Sequence, residues 1–131
     1  MSSEQGKVSV WVNKVRVSEY PAEYLEENYD QEDDAPLCEW AGNFGFDYYD
    51  SDFMDVALEE GKPRPIRELM TGCSYVESFL SELEAAAVKL GQPTANHAIL
   101  LYDFDYSAMK EKVAEDSYMR FVGTFNYVAD D

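Results

Sequence analysis

Four segments of the chain have the hydrophobic pattern of β-strands. "KVSVWVNKVRV" at residues 7–17 and "FMDVALEE" at residues 53–60 alternate apolar and polar positions, which predicts two strands with one buried face each. "HAILLYDF" at residues 97–104 is almost continuously apolar, which predicts a central strand covered on both faces. "YMRFVGTFNYV" at residues 118–128 predicts a last strand, on which we expect four large residues to share one face: Met119, Phe121, Phe125 and Tyr127.

The end of the predicted central strand carries aromatic and acidic residues in alternation. Tyr102 and Phe104 are two positions apart, so we expect both to lie on one face and to be structural. Asp103 should point to the opposite face and accept hydrogen bonds from a nearby turn or helix N-terminus. "YDFDY" is therefore interpreted as packing residues and a backbone acceptor.

Other apolar residues recur three and four positions apart, as in amphipathic helices. The clearest helix is predicted over residues 74–90, where Ser74 and Glu77 form an S-x-x-E capping-box pattern and Gly91 follows the end. Three shorter helices are predicted over residues 18–28, 36–44 and 65–71.

These elements predict a single α+β domain with about four strands in a mostly antiparallel sheet and helices packed on it. The length of 131 residues is that of one domain, spanning residues 1–131, of which we expect residues 1–6 to be disordered. The hydrophobic content of 46% is too high for a disordered chain, in spite of the charge.

The charge is concentrated in one part of the chain. The formal net charge is −17, and residues 17–61, called here the acidic block, contain 15 Asp or Glu and no Lys or Arg. Such a field repels nucleic acids and anionic membrane surfaces and attracts basic partners. We therefore expect no nucleic-acid partner and no membrane partner.

The sequence contains no signature of catalysis. The two cysteines, Cys38 and Cys73, have neither a disulfide framework nor a zinc-site spacing, and the one histidine, His97, opens the central strand, where a structural role is expected. We expect no catalytic residue, no cofactor and no metal. The first residues lack a signal-peptide pattern and no apolar run could span a membrane, so the expected location is the cytoplasm.

Carboxylate chemistry is the alternative that remains open. Asp47, Asp50, Asp52 and Asp55 are closely spaced, but counting from Asp50 puts Gly61 at the twelfth position of an EF-hand loop, where a glutamate is required. A calcium-dependent module or a carboxylate enzyme using residues 47–55 is thus the second hypothesis, and a small acidic adaptor is the third.

Five segments, in order along nearly the whole chain, resemble the family of immunity protein 22 of bacterial polymorphic toxin systems. They are "VSVWV" at 8–12, "FGFDYYDSDF" at 44–53, "SYVESF" at 74–79, "ANHAILLYDFDY" at 95–106 and "YMRFVGTFNY" at 118–127. The second and fourth are the most specific. The resemblance implies an α+β immunity protein that is encoded beside a toxin and binds it to block its activity, without being an enzyme.

Charge and resemblance lead to the same hypothesis for the partner. A nuclease-type toxin presents a basic surface to phosphates, and an acidic inhibitor with aromatic anchors suits such a surface. We expect a cognate, basic, nuclease-like toxin to bind the acidic block through nine residues: Asp30, Glu32, Asp33, Asp34, Asp47, Tyr48, Tyr49, Asp50 and Asp52.

Overall fold

The computed structural model describes residues 6–27, 36–45, 49–109 and 112–128. The strands and helices in these ranges, in chain order, are β1 (Lys7–Asn13), α1 (Glu39–Asn43), β2 (Met54–Leu58), β3 (Arg64–Pro65), α2 (Ile66–Leu69), α3 (Leu80–Lys89), β4 (Thr94–Ala95), β5 (His97–Tyr102) and β6 (Met119–Asn126). The main sheet has four antiparallel strands in the order β2-β5-β1-β6, and β3 pairs with β4 as a separate two-stranded sheet.

β1 and β5 occupy the middle of the main sheet because both faces of each strand are covered. Every residue of β5 is buried, as is β1 beyond Lys7. In their antiparallel register, Val10 pairs with Leu100 and Trp11 with Ile99. The near-continuous apolar run of β5 therefore has the central position that its sequence predicted.

Each face of the sheet has its own hydrophobic core. The face carrying Val10 and Leu100 packs against α2 and α3, which contribute Ile66 and Leu83. The opposite face packs against α1 and loop residues, with Trp11 at its centre. The α+β fold class, with helices packed on an antiparallel sheet, is confirmed.

The second core consists mostly of aromatic rings. Trp11 lies 5.0 Å from the ring of Trp40 of α1, at 82° between the planes, and 5.2 Å from Tyr106. The buried Tyr106 hydroxyl donates to the carbonyl of Phe44 and accepts the N–H of Val113 at 2.7 Å. These contacts connect the loop segments of this layer to one another. Among the described residues, these loops are not joined by a β-sheet of their own.

A bulge divides β6 into two halves with opposite orientations. The register to β1 shifts between Val10 and Trp11, so β6 has one extra residue there. Met119 and Phe121 consequently pack in the Trp11 core, whereas Phe125 and Tyr127 pack in the other. The expectation that these four side chains share one face was wrong, because one inserted residue exchanges the two faces of a strand.

The chain also changes direction at the end of β5. Asp103 has a left-handed backbone with φ of 56°, so Phe104 packs with the Trp11 core, whereas Tyr102 belongs to the other core. The prediction that Tyr102 and Phe104 share a face was therefore wrong. The Asp103 carboxylate accepts the N–H of Gly6 at 3.0 Å and the hydroxyl of Tyr127 at 2.6 Å, so its predicted role as an acceptor is confirmed for the turn at Gly6.

The predicted helix over residues 74–90 begins later than its sequence pattern suggests. Tyr75 has φ of 58°, a 3-10 turn follows at Val76–Ser78, and α3 starts at Leu80. The backbone N–H of Ser74 donates to the carboxylate of Asp55 at 2.8 Å, instead of starting a capping box. Tertiary contacts with β2 thus replace the local cap.

The helix predicted over residues 18–28 is absent from its described part, residues 18–27. A 3-10 turn covers Val17–Glu19, and Tyr20 is extended with ψ of 145° because it precedes Pro21. Within the predicted helix over residues 36–44, the structure has α1 at Glu39–Asn43, and within the helical turn predicted over residues 65–71 it has α2 at Ile66–Leu69. Three of the four predicted helices are thus present, and each is shorter than its sequence pattern predicted.

Candidate partner-binding surface

Two carboxylates of the acidic block lie exposed immediately before β2. Asp50 and Asp52 flank the start of the 3-10 turn Ser51–Phe53, which leads directly into the strand. The Asp50 side chain accepts the backbone N–H of Asp52 at 3.0 Å, and its carbonyl accepts the N–H of Phe53 at 2.9 Å. This turn holds both acidic side chains in solvent at one end of the edge strand.

The ion pairs of the described residues lie almost entirely outside the acidic block. Glu115 pairs with Lys14 at 2.6 Å and with Arg120 at 3.1 Å, on the β6 side of the sheet. Within the described part of the block, Glu59 lies 4.0 Å from Arg64, a residue outside the block. The cations of these pairs all lie outside the acidic block, whose sequence contains no Lys or Arg.

Tyr49 is a packing residue in this structure. It is 4% exposed, and its ring lies 5.3 Å from that of Trp40. Its hydroxyl donates to Glu27 at 2.8 Å, and burial, followed by the neighbouring Cys38 thiol and Glu27 carboxylate, raises the pKa of Tyr49 far above its ordinary value. A contribution of Tyr49 to partner binding stays a prediction.

The other six residues of the predicted surface lie outside the described residues. The structure therefore brings Asp50 and Asp52 together and places Tyr49 beneath the surface, and it does not describe the rest: Asp30, Glu32, Asp33, Asp34, Asp47 and Tyr48.

Sequence reasoning missed three exposed apolar side chains beside these carboxylates. Phe53 is 50% exposed, Val56 54% and Leu58 56%, although the alternation in this segment predicted a buried face for the strand. β2 lies at the edge of the sheet, beyond the area that the second core covers. The dense flanking carboxylates were the signal available in the sequence, since charged residues are typical of edge strands.

His97 is enclosed in the fold. The hydroxyl of Tyr20 lies 3.0 Å from its Nδ1 atom, and the two rings are 5.6 Å apart. Burial lowers the pKa of His97 to about 4, so the ring is neutral at physiological pH, and its tautomer decides which partner donates in the hydrogen bond with Tyr20. This environment suits a structural role.

The grouping of metal-binding side chains and the length of the helices bear on the other hypotheses. Within the described ranges, no three His, Cys, Asp or Glu side chains are grouped as they would be around a metal ion. In the same ranges, every helix is too short or too polar to cross a membrane.

Comparison with known proteins gave one result. A family model described as Immunity protein 22 matches residues 8–128, which includes both central strands and both edges of the main sheet. No curated protein and no solved structure matches the chain significantly. Since the family model spans almost the whole sequence, the chain belongs to the Immunity protein 22 family.

Proposed function

We propose that this chain binds a basic, nuclease-type toxin and neutralises it by covering the toxin's active surface. The family gives the chain a toxin-neutralising role in general terms. The observation that supports the basic character of the toxin is the acidic block, with 15 carboxylates and no cation in its sequence, of which Asp50 and Asp52 lie exposed on one edge of the fold.

Elementary electrostatics favours a basic target over other toxin surfaces. A nuclease holds phosphates with Lys and Arg, so its active surface has the opposite sign to the acidic block. Opposite fields accelerate encounter by about 10–10³-fold, and faster capture protects a cell that makes both proteins. In the proposed complex, Lys and Arg of the toxin supply the counter-charges that this chain lacks.

The proposed surface keeps the nine residues named from the sequence. Asp50 and Asp52 supply exposed charge at the start of β2, and four further acidic residues add to it: Asp30, Glu32, Asp33 and Asp34. Asp47 and Tyr48 complete the segment before Tyr49, whose buried ring would hold that segment in place. The chain acts by occupying the toxin surface and not by a reaction of its own.

Co-expression with the protein of the neighbouring gene tests this function. The chain should co-purify with that protein's toxin domain, protect cells that express it, and stop the degradation of RNA or DNA by the purified domain at an equimolar ratio. Inhibition well below equimolar amounts would point to an enzyme. Binding without protection would point to an adaptor, and protection from a toxin that leaves nucleic acids intact would overturn the nuclease assignment alone.

A further inference from the structure

The edge of β2 that faces away from β5, called here the free edge, has no partner strand among the described residues. The strand pairs with β5 on one side. The hydrogen bond from the Glu59 N–H to the Asn96 carbonyl, at 2.8 Å, shows which residues of β2 direct their backbone N–H and C=O groups towards β5. Because bonded positions alternate in an antiparallel ladder, Asp55, Ala57 and Glu59 direct their backbone groups to β5. The backbone groups that point away from β5, and have no partner within the described residues, belong to Met54, Val56 and Leu58.

At the opposite edge of the sheet, the start of β6 has backbone contacts with another segment of the chain. On β6, the N–H of Phe121 donates to the carbonyl of Ala114 at 2.8 Å, and the backbones of Glu115 and Arg120 form an isolated antiparallel β-bridge. The β2 sequence "MDVAL" contains neither the Lys nor the Pro that commonly protect a free edge. The start of β6 is thus covered by residues 114–115, whereas among the described residues the outer edge of β2 has no such cover.

The side chains of β2 differ between its two faces. Val56 and Leu58 lie on the face of Ile99 and are more than half exposed, which leaves an apolar strip along the edge. Asp55 and Glu59 lie on the other face, with the buried Ala57 between them. A strand added to this edge would meet apolar groups on one face and carboxylates on the other.

A groove lies beside β2 on the face that carries Asp55 and Glu59. It could hold side chains of a strand added to the edge of β2. It has a volume of about 390 Å³ and runs between β2 and residues 68–73, where Glu68 adds a third carboxylate. Arg64 lies 4.0 Å from Glu59 and 3.8 Å from Glu68, with half of its side chain exposed. Such exposed pairs contribute little stability, so a cation from a partner can replace Arg64.

We propose that a β-strand of the cognate toxin adds to the free edge of β2 and extends the sheet. This inference rests on the proposed function and names its contact. The incoming strand alternates apolar residues, which cover Val56 and Leu58, with Lys or Arg residues, which face Asp55, Glu59 and Glu68. Main-chain hydrogen bonds to Met54, Val56 and Leu58 provide affinity, and the alternation provides specificity.

A second copy of this chain is a poor occupant of the same edge. Pairing two β2 strands around a two-fold axis would gather Asp55 and Glu59 of both copies on one face of the joined sheet. Each copy also carries a net charge of −17, so the copies repel one another. The backbone of this edge could pair with a second copy of the chain or with a strand of another protein. The negative charge of β2 and of the whole chain favours a basic partner protein.

The proline substitution Val56→Pro tests the backbone contact. It removes an N–H that points away from β5, so the fold should be retained while strand addition is blocked. Affinity for the purified, inactivated toxin domain of the neighbouring gene should fall about tenfold or more. Val56→Lys should weaken binding as well, whereas Val88→Lys, at a position 59% exposed on α3, is the matched control and should bind like the wild type.

Amide hydrogen exchange on the wild-type complex supplies a second measurement that requires no variant. The N–H groups of Met54, Val56 and Leu58 should exchange quickly in the free protein and become protected in the complex, while that of Ala57 is protected in both. Wild-type binding with unchanged exchange at these amides, or equal binding by Val56→Pro, would overturn the edge contact and leave the proposed function standing. Failure of the wild type to bind the toxin would overturn both, and a dimer of the free protein that Val56→Pro dissociates would assign the edge to a second copy.

Discussion

At the scale of single residues, His97 gives the fold a pH dependence with a defined sign. Its pKa is about 4 in the folded chain, against an ordinary value near 6.5, because burial disfavours the charged ring. Between these two values the unfolded chain binds a proton that the folded chain does not. Stability from this residue is therefore complete above pH 6.5 and is lost as the pH falls towards 4.

The expected loss between pH 7 and pH 5 is about 2 kcal/mol from His97 alone. Urea denaturation at both pH values should show it as a difference between the wild type and His97→Gln, whose amide can donate to the Tyr20 hydroxyl or accept from it. The titration of other groups occurs in both proteins and cancels in the comparison. Equal pH dependence of the two proteins would show that His97 is not excluded from protonation.

At the scale of elements, the sequence predicted the four strands of the main sheet, but neither the short β3–β4 pair nor the points where strands reverse their faces. The alternation around Val10 and the apolar run of β5 identify both central strands, because burial on a sheet requires those patterns. The bulge in β6 and the left-handed residues Tyr75 and Asp103 lack a periodic signal. They depend on contacts between distant segments, which local patterns cannot encode.

Asp103 is the element-scale residue with the clearest test. It ends β5 in a left-handed conformation and fixes the start of β1 through Gly6 and the end of β6 through Tyr127. Asp103→Asn should change stability by less than about 1 kcal/mol, since asparagine tolerates this backbone and keeps an acceptor oxygen.

Asp103→Ala removes both hydrogen bonds and places a less tolerant residue at φ of 56°. We expect it to lower the free energy of unfolding by about 2–4 kcal/mol. Chemical denaturation of both variants measures the contrast. A similar loss in Asp103→Asn would mean that the negative charge, and not the acceptor geometry, is required at this position.

At the scale of the whole molecule, composition predicted that part of the surface lacks counter-charges, but not where that part lies. The segregation of sign along the sequence is visible directly, whereas the location of Asp50 and Asp52 beside an edge strand follows from the strand order. The burial of Tyr49 follows from packing on Trp40, and the neighbouring tyrosines of the motif could not be ranked by sequence alone. The charge of the acidic block can thus be read from the sequence, whereas the exposure of its side chains depends on the strand order and on packing.

The last prediction concerns the kinetics of toxin binding. Asp50→Asn combined with Asp52→Asn should slow association with the toxin about three- to tenfold at low salt, because exposed charges at an interface act mainly on encounter. Asparagine at position 50 retains the acceptor for the N–H of residue 52, so the turn should persist. Dissociation should change little, and the effect should fall below about twofold in 1 M salt, where the screening length is about 3 Å.

The matched control removes the same two charges elsewhere. Glu77→Gln combined with Glu82→Gln changes exposed carboxylates on the 3-10 turn Val76–Ser78 and on α3, outside the acidic block. If steering originates locally at the acidic block, this control associates at nearly the wild-type rate at low salt. Equal slowing by both pairs would attribute the acceleration to net charge, and unchanged rates in both would place the interface away from Asp50 and Asp52.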